Sequence, residues 1–350
     1  MTDAGPERSA TAPNLVGKNP LPENSRRISI EGTILAKRYL IQSLLGRGGF
    51  GVTFLARNLY LPGQPLCVIK KLAPKLTNPG LIATARWRFY LEARSLSRLT
   101  SHAQVPTLLD YFKIGTDLYL VEAYIPGRNL AQIVSQQRKF TESEVENFLF
   151  QMLHLLEYIH SHRLIHRDVK PANIILCQTD HRFVLVDFGA VKDLYPPTNL
   201  RRDPEIVSMA IGTPGFSPPE QLADRAVYAS DIYGLGMTCL YLLTAKEPSQ
   251  LRTDPISCEL IWSDEVEISL DLNEIISKMV RVSLVDRYQS ATQILTALDN
   301  RAVRAKLRTY LDQKRAISNI ETSDSPIYYP PVLYWAVEMI DEADQPMPQG

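Results

Sequence analysis

Gly46, Gly48 and Gly51 stand within "LLGRGGFGVTFLA" (44–56), a short stretch rich in positions that carry no side chain. Backbone amides bared in this way can approach phosphate oxygens, because no Cβ holds the phosphate off. Two settings use such a spacing. In one, a strand turns straight into a helix whose N-terminus takes a dinucleotide pyrophosphate, with an acidic residue about 20 positions further on. In the other, the glycines form the loop of a hairpin lying over the phosphates of a nucleoside triphosphate. Here the glycines run into "VTFLARN", a strand pattern, and then into "CVIKKL", a strand carrying Lys70. The βαβ unit of the first setting is missing, so a dinucleotide-binding oxidoreductase is rejected in favour of the hairpin. Glu92 in "FYLEARSL" is the expected partner of Lys70: four residues before Leu96, it shares a helix face that packs toward a sheet.

The elements that must position these groups read in two blocks. Residues 1–35 are rich in Pro, Ser, Asn and Arg and poor in large apolar residues, which predicts a flexible tail. "RYLIQSLLG", "GVTFLARN" and "QPLCVIKKL" predict three successive strands, and "TARWRFYLEARSLSRLT" (84–100) a helix with Phe89, Leu96 and Leu99 near one stripe. A further hairpin, "TLLDYFKIG" and "DLYLVEAYI", closes at Gly115-Thr116-Asp117. After Gly127 the chain reads mainly helical, most clearly over 143–162 with Ser143 as N-cap and over the apolar run 233–245. The expected organisation is an α+β chain: a β-rich lobe over 36–123, an α-helical lobe over 124–300, and a basic helix and tail over 301–350.

Among 350 residues, 38 basic and 38 acidic side chains balance, and no strongly basic stretch supports a nucleic-acid partner. The first thirty residues lack a secretory h-region and the longest apolar run is too short for a membrane span, so a cytoplasmic chain is expected. Cys67, Cys177, Cys239 and Cys258 form no C-x-x-C pair, and each lies in or beside an apolar run; burial as free thiols is expected of all four.

The densest chemical string is "HRDVKPANIIL" (166–176), followed by "VDFG", which places Asp187 fourteen residues after Asn173. With "GTPGFSPPE" (212–220), Asp231 in "SDIYGLG" and Arg287 in "DRY", these motifs resemble a bilobal eukaryotic-like serine/threonine protein kinase over residues 36–300. The wording of "CVIKKL", "DFGAVK" and "GTPGFSPPEQ" is most similar to the cyanobacterial branch. The resemblance implies ATP-dependent phosphorylation of serine and threonine hydroxyls on protein substrates, with autophosphorylation and a place in signal transduction.

Residue by residue, the resemblance makes Asp168 the base for the substrate hydroxyl and Lys170 the neutraliser of the transferring phosphoryl group. It gives the α- and β-phosphates to Lys70, held by Glu92, and Mg²⁺ to Asn173 and Asp187. ATP is expected against Leu45, Gly46, Arg47, Gly48, Gly49, Phe50, Gly51, Val52 and Thr53, with adenine between Leu45, Val52 and Val68 on one side and Ile175 on the other, beside the hinge at Ala123. Glu220 and Arg287 are expected to form a buried ion pair. A pseudokinase scaffold is the competing reading; it predicts degradation of Lys70, Asp168, Asn173 or Asp187, and all four are present.

Three departures stand out. Val68 replaces the common alanine, Pro218 stands for the alanine of Ala-Pro-Glu, and Glu122 occupies a position beside the adenine slot where an apolar residue or glutamine is usual. A carboxylate there must be solvated or paired. Arg167, before the catalytic aspartate, is expected to receive an anion from the segment 187–220: phosphate on Ser208 in first place or on Thr198, or a permanent carboxylate from Asp203 or Glu205.

Overall fold

The computed structural model describes residues 31–47, 51–73, 79–99, 102–136, 138–194 and 212–303. The first lobe is a curled, fully antiparallel sheet of six strands: β1 (Ile34–Leu35), β2 (Tyr39–Arg47), β3 (Gly51–Asn58), β4 (Leu66–Leu72), β5 (Leu108–Ile114) and β6 (Asp117–Ala123). They lie side by side in the order β1-β2-β3-β4-β6-β5. Alternation of β-branched and aromatic residues gives one face to a small core of Tyr39, Ile41, Phe54, Ile69, Tyr119 and Val121. β1 takes in Ile34 and Leu35, which composition had left in the tail.

The helix α1 (Pro79–Leu99) begins five residues before the expected 84. Pro79 explains the earlier start, since proline suits the first helical turn, where its missing N–H is no loss. Phe89, Leu96 and Leu99 are all buried on the stripe expected of them.

After the sheet, β7 (Gly127–Asn129) leads into α2 (Leu130–Val134) and the long α3 (Glu142–Ser161). The N-cap of α3 is Thr141, not Ser143. Thr141 Oγ1 accepts from the Glu144 amide at 3.3 Å while the Glu144 carboxylate accepts from the Thr141 amide at 2.9 Å. The T-x-x-E capping box at 141–144 was the signal that decides between the two. β8 (Leu164–Ile165), β9 (Ile174–Cys177), β10 (Phe183–Leu185) and β11 (Lys192–Asp193) follow, then α4 (Pro219–Leu222), α5 (Tyr228–Thr244), the small pair β12 (Arg252–Thr253) and β13 (Leu260–Ile261), α6 (Leu270–Met279) and α7 (291–303).

The centre of this second lobe is α5, apolar nearly all round and buried along almost its whole length, which is how a helix with no polar face is accommodated in a globular core. Near it, Arg287 is enclosed with Glu220 at 2.7 Å, as expected. Cys67, Cys177 and Cys239 are buried free thiols, but Cys258 is exposed: it lies in the turn before β13, where its neighbours Ser257 and Glu259 bond locally rather than pack.

Candidate active site

Between the lobes lies a cleft of about 730 Å³. Its upper wall comes from β3 and β4. β3 pairs Thr53 with Lys70 and Gly51 with Leu72, so the strand leaving the glycine-rich loop lies directly against the strand of the lysine. A Cβ on Gly51 would come within 2.4 Å of the Lys71 carbonyl oxygen, which is why this position admits no side chain. Leu45, Gly51, Val52, Thr53 and Val68 line the cleft. Gly46 and Arg47 do not; they continue β2, whose pairing with β3 shifts register between Leu44 and Gly46. Gly48, Gly49 and Phe50 fall outside the described residues.

The ammonium of Lys70 is bonded to Glu92 on α1, and its Nζ also lies 2.9 Å from Glu122 Oε1 on β6. Burial opposes the charge on Lys70, but the Glu122, Glu92 and Asp187 carboxylates more than reverse that and hold the ammonium well above its usual range. Burial pushes the Glu92 carboxyl up, against the pull of Lys70, and the anionic Asp187 and Glu122 push it the same way. One cation here serves three carboxylates.

The lower wall is the loop between β8 and β9, which carries Asp168, Lys170 and Asn173. Asp168 accepts from the Thr213 hydroxyl at 2.8 Å on Oδ1 and from the Asn173 amide at 2.8 Å on Oδ2. Lys170 Nζ stands 2.7 Å from Asp168 Oδ2 and donates to Thr213 Oγ1 at 2.6 Å. Ile175 lines the floor, and Ala123 and Tyr124, the expected hinge, the back, joined by Ile125 and Val186, which the sequence did not single out.

Asp187 adopts a left-handed backbone, φ 68°, unusual for a residue other than glycine, and its Oδ1 accepts from the Gly189 amide at 3.4 Å. Burial acts to raise its carboxyl, yet the ammonium of Lys70, with the Gly189 amide and Lys170, holds it below the ordinary range. Asp187 and Asn173 present hard oxygens of the kind Mg²⁺ takes. Among the described residues no cluster of three His, Cys, Asp or Glu could hold a metal by itself, so the remaining ligands would come from phosphates and water.

Behind the loop, Asp231 on α5 is fully enclosed and accepts three bonds: His166 N at 2.9 Å, Arg167 N at 2.8 Å and His160 Nε2 at 2.9 Å. Burial would raise this carboxyl, and these donors lower it instead. The clamp holds Arg167 at φ 66°, beside Asp168. The sequence placed Asp231 on its helix without assigning this role.

The Arg167 guanidinium donates to the carbonyls of Ala190 at 2.6 Å and Val191 at 3.4 Å and lies 3.5 Å from Asp224 Oδ1. Asp224, just beyond the expected segment, is thus a permanent carboxylate at this arginine that the sequence reading did not name. Thr198, Asp203, Glu205 and Ser208 lie outside the described residues.

A protein kinase domain model matches residues 39–298. Serine/threonine-protein kinase B of Synechocystis sp. is 45% identical over 288 residues, covering 80% of this chain and 50% of that protein. Serine/threonine-protein kinase PknA of Nostoc sp. is 42% identical over 267 residues, covering 76% and 47%. The crystal structure of the Mycobacterium tuberculosis PknI kinase domain superposes with a TM-score of 0.57 at 23% identity, covering 77% of this chain and 98% of that one, and shows the shared fold. The chain belongs to the protein kinase family, in the neighbourhood of cyanobacterial serine/threonine kinases. It spans about half the length of these curated relatives. No helix among the described residues is long and apolar enough to cross a membrane.

Proposed function

We propose that this chain transfers the γ-phosphoryl group of ATP to serine and threonine hydroxyls of proteins, with a kinase domain over 36–300 divided into lobes at 123/124. The observation that carries the reading is the environment of Asp168. Its Oδ1 already accepts a threonine hydroxyl, that of Thr213, at 2.8 Å, with the Lys170 ammonium 2.6 Å from the same hydroxyl oxygen. A substrate hydroxyl brought to this carboxylate would meet both a proton acceptor and a cation for the phosphoryl oxygens.

The remaining roles are assigned as the kinase likeness implies them. Adenine lies between Leu45, Val52 and Val68 above and Ile175 below, against Ala123. Lys70 holds the α- and β-phosphates, with Gly51, Val52 and Thr53 of the glycine-rich stretch lining the cleft above. Asn173 and Asp187 hold Mg²⁺, which when bound neutralises phosphate charge. The Asn173 amide fixes the rotamer of Asp168 by donating to it at 2.8 Å. Phosphoryl transfer asks for placement and charge rather than for protein nucleophiles, and this cleft offers those.

The test is phosphate transfer from labelled ATP to a generic basic protein and to the chain itself, comparing wild type with Asp168→Asn. Removal of a general base typically costs about 10²–10⁴ in rate. Nucleotide affinity should be nearly unchanged, since Asp168 need not touch ATP. Near-normal turnover in the variant refutes the assignment.

A further inference from the structure

Glu122 has no place in the roles above, yet it is 4% exposed and its Oε1 lies inside the protein with no hydrogen-bond donor in bonding geometry. What it has is charge: Lys70 Nζ at 2.9 Å. That contact is dictated by the sheet. β4 and β6 are neighbours in which Lys70 faces Leu120 and Val68 faces Glu122. Side chains two apart on a strand share a face, so Lys70 and Glu122 are diagonal cross-strand neighbours, within reach of two long side chains. A ladder running from Cys67 and Ala123 to Leu72 and Leu118 fixes this register.

Glu92 reaches the same ammonium from a different element. It stands on α1, which packs on the sheet through side chains and is not part of the ladder. A buried ionised carboxylate without a counter-charge is strongly unfavourable, so Glu122 has reason to keep Lys70 as firmly as Lys70 has to keep Glu122.

Resting on the kinase reading above, we propose that Glu122 is a second positioning residue for the phosphate-anchoring lysine: Lys70 is held jointly, by Glu92 from the helix and by Glu122 from the sheet. The ammonium therefore keeps its place in the cleft on the sheet's own register, even without the carboxylate of α1. Loss of either holder alone is buffered by the other.

The experiment is a double-mutant cycle on the full chain with Glu92→Gln, Glu122→Gln and both together, each near-isosteric. Each single change should lower kcat/KM for ATP by three- to ten-fold, mainly through KM, and the double change by at least ten times the product of the singles. Acetylation of Lys70 by an amine-reactive ester at fixed pH, read by peptide mass mapping, gives a second axis that needs no turnover. It should be at least ten-fold faster in the double variant than in either single one. Because labelling is independent of catalysis, a chain that phosphorylates nothing would refute the kinase reading and still test the two-holder arrangement. Glu122→Leu, which removes the charge and leaves no polar atom to bury, repeats the cycle should the glutamine variant fold poorly. A double variant equal to the product of the singles, or Lys70 labelling unmoved by the loss of Glu122 in the Glu92→Gln background, overturns the proposal.

Discussion

Replacing Asp231 by asparagine removes one charge and one acceptor from a site that uses both. The carboxylate divides its oxygens between His166 N and His160 Nε2 on one side and Arg167 N on the other, at 2.8–2.9 Å. An amide keeps a single acceptor oxygen and turns an NH₂ toward at least one of these donors. Hydrogen bonds to charged groups contribute about 1.5–3 kcal/mol each, so losing one and weakening the rest should cost about 2–4 kcal/mol. Over the matched residues 39–298, an unfolding entropy of about 2.1 cal/mol/K per residue turns that loss into a fall of roughly 4–7 °C in Tm. The functional effect should be larger. Arg167 sits at φ 66°, a conformation that costs about 1–2 kcal/mol for a side chain with a Cβ and persists because Asp231 grips its amide. With the grip loosened the strain relaxes, and Asp168 next door moves with it. A displacement of about 1 Å at a reacting group can cost on the order of 10²-fold. The assay is thermal melting beside steady-state phosphorylation of a peptide substrate. A Tm that falls as expected while kcat stays within about three-fold would refute the positioning role, since the general cost of misplacement predicts a far larger loss; an unchanged Tm would refute the clamp itself.

Arg287→Met should strand Glu220, whose Oε1 takes both the Arg287 guanidinium at 2.7 Å and the Ser230 hydroxyl at 2.8 Å, and breaking a buried pair from one side costs about 3–5 kcal/mol. Combining it with Glu220→Leu should recover part of that loss in a urea or thermal melt. His166 is neutral in the folded chain because burial depresses its imidazole below the ordinary value of 6.5. Its unfolded form gains a proton first as pH falls, so the native state loses stability on acidification below about 6.5. His166→Phe should therefore show a smaller Tm drop between pH 7.5 and 5.5 than wild type; an equal drop would show that other groups carry the effect.

What the sequence made legible was whatever it wrote contiguously. The catalytic loop is a single string, and Asp168, Lys170 and Asn173 are brought together by a tight turn, Pro171–Asn173, that requires little of the rest of the fold. The hairpin of β3 and β4 was readable because its strands are long and alternate cleanly. The three-stranded sheet of β7, β9 and β10 was not, since strands of three or four residues carry too little period to register. Glu122 was visible as an oddity, but its partner depended on the pairing of strands some fifty residues apart. Asp231 was visible too, but the backbone amides it holds belong to a loop that carries no mark of needing them. Where the reading erred locally, as at Ser143, the neighbouring Thr141-x-x-Glu144 held the information.

β7 belongs to the helical lobe: Gly127 pairs with Cys177, so closely that a Cβ on Gly127 would lie 2.2 Å from the Leu176 carbonyl oxygen. The Pro126 carbonyl is tied to the same lobe by Gln178 N at 2.8 Å, while Ala123 N is tied to the other by Thr107 O at 2.9 Å. Tyr124 and Ile125 are the covalent crossing between the two lobes, beside non-covalent ties such as Leu185 N to Gln104 O at 3.0 Å and Arg98 to Asp193 at 2.9 Å. Tyr124 and Ile125 also line the cleft. A ligand seated against them therefore touches the chain where it crosses from sheet to helical lobe, so a substitution at either residue would bear on ligand affinity and on the crossing together.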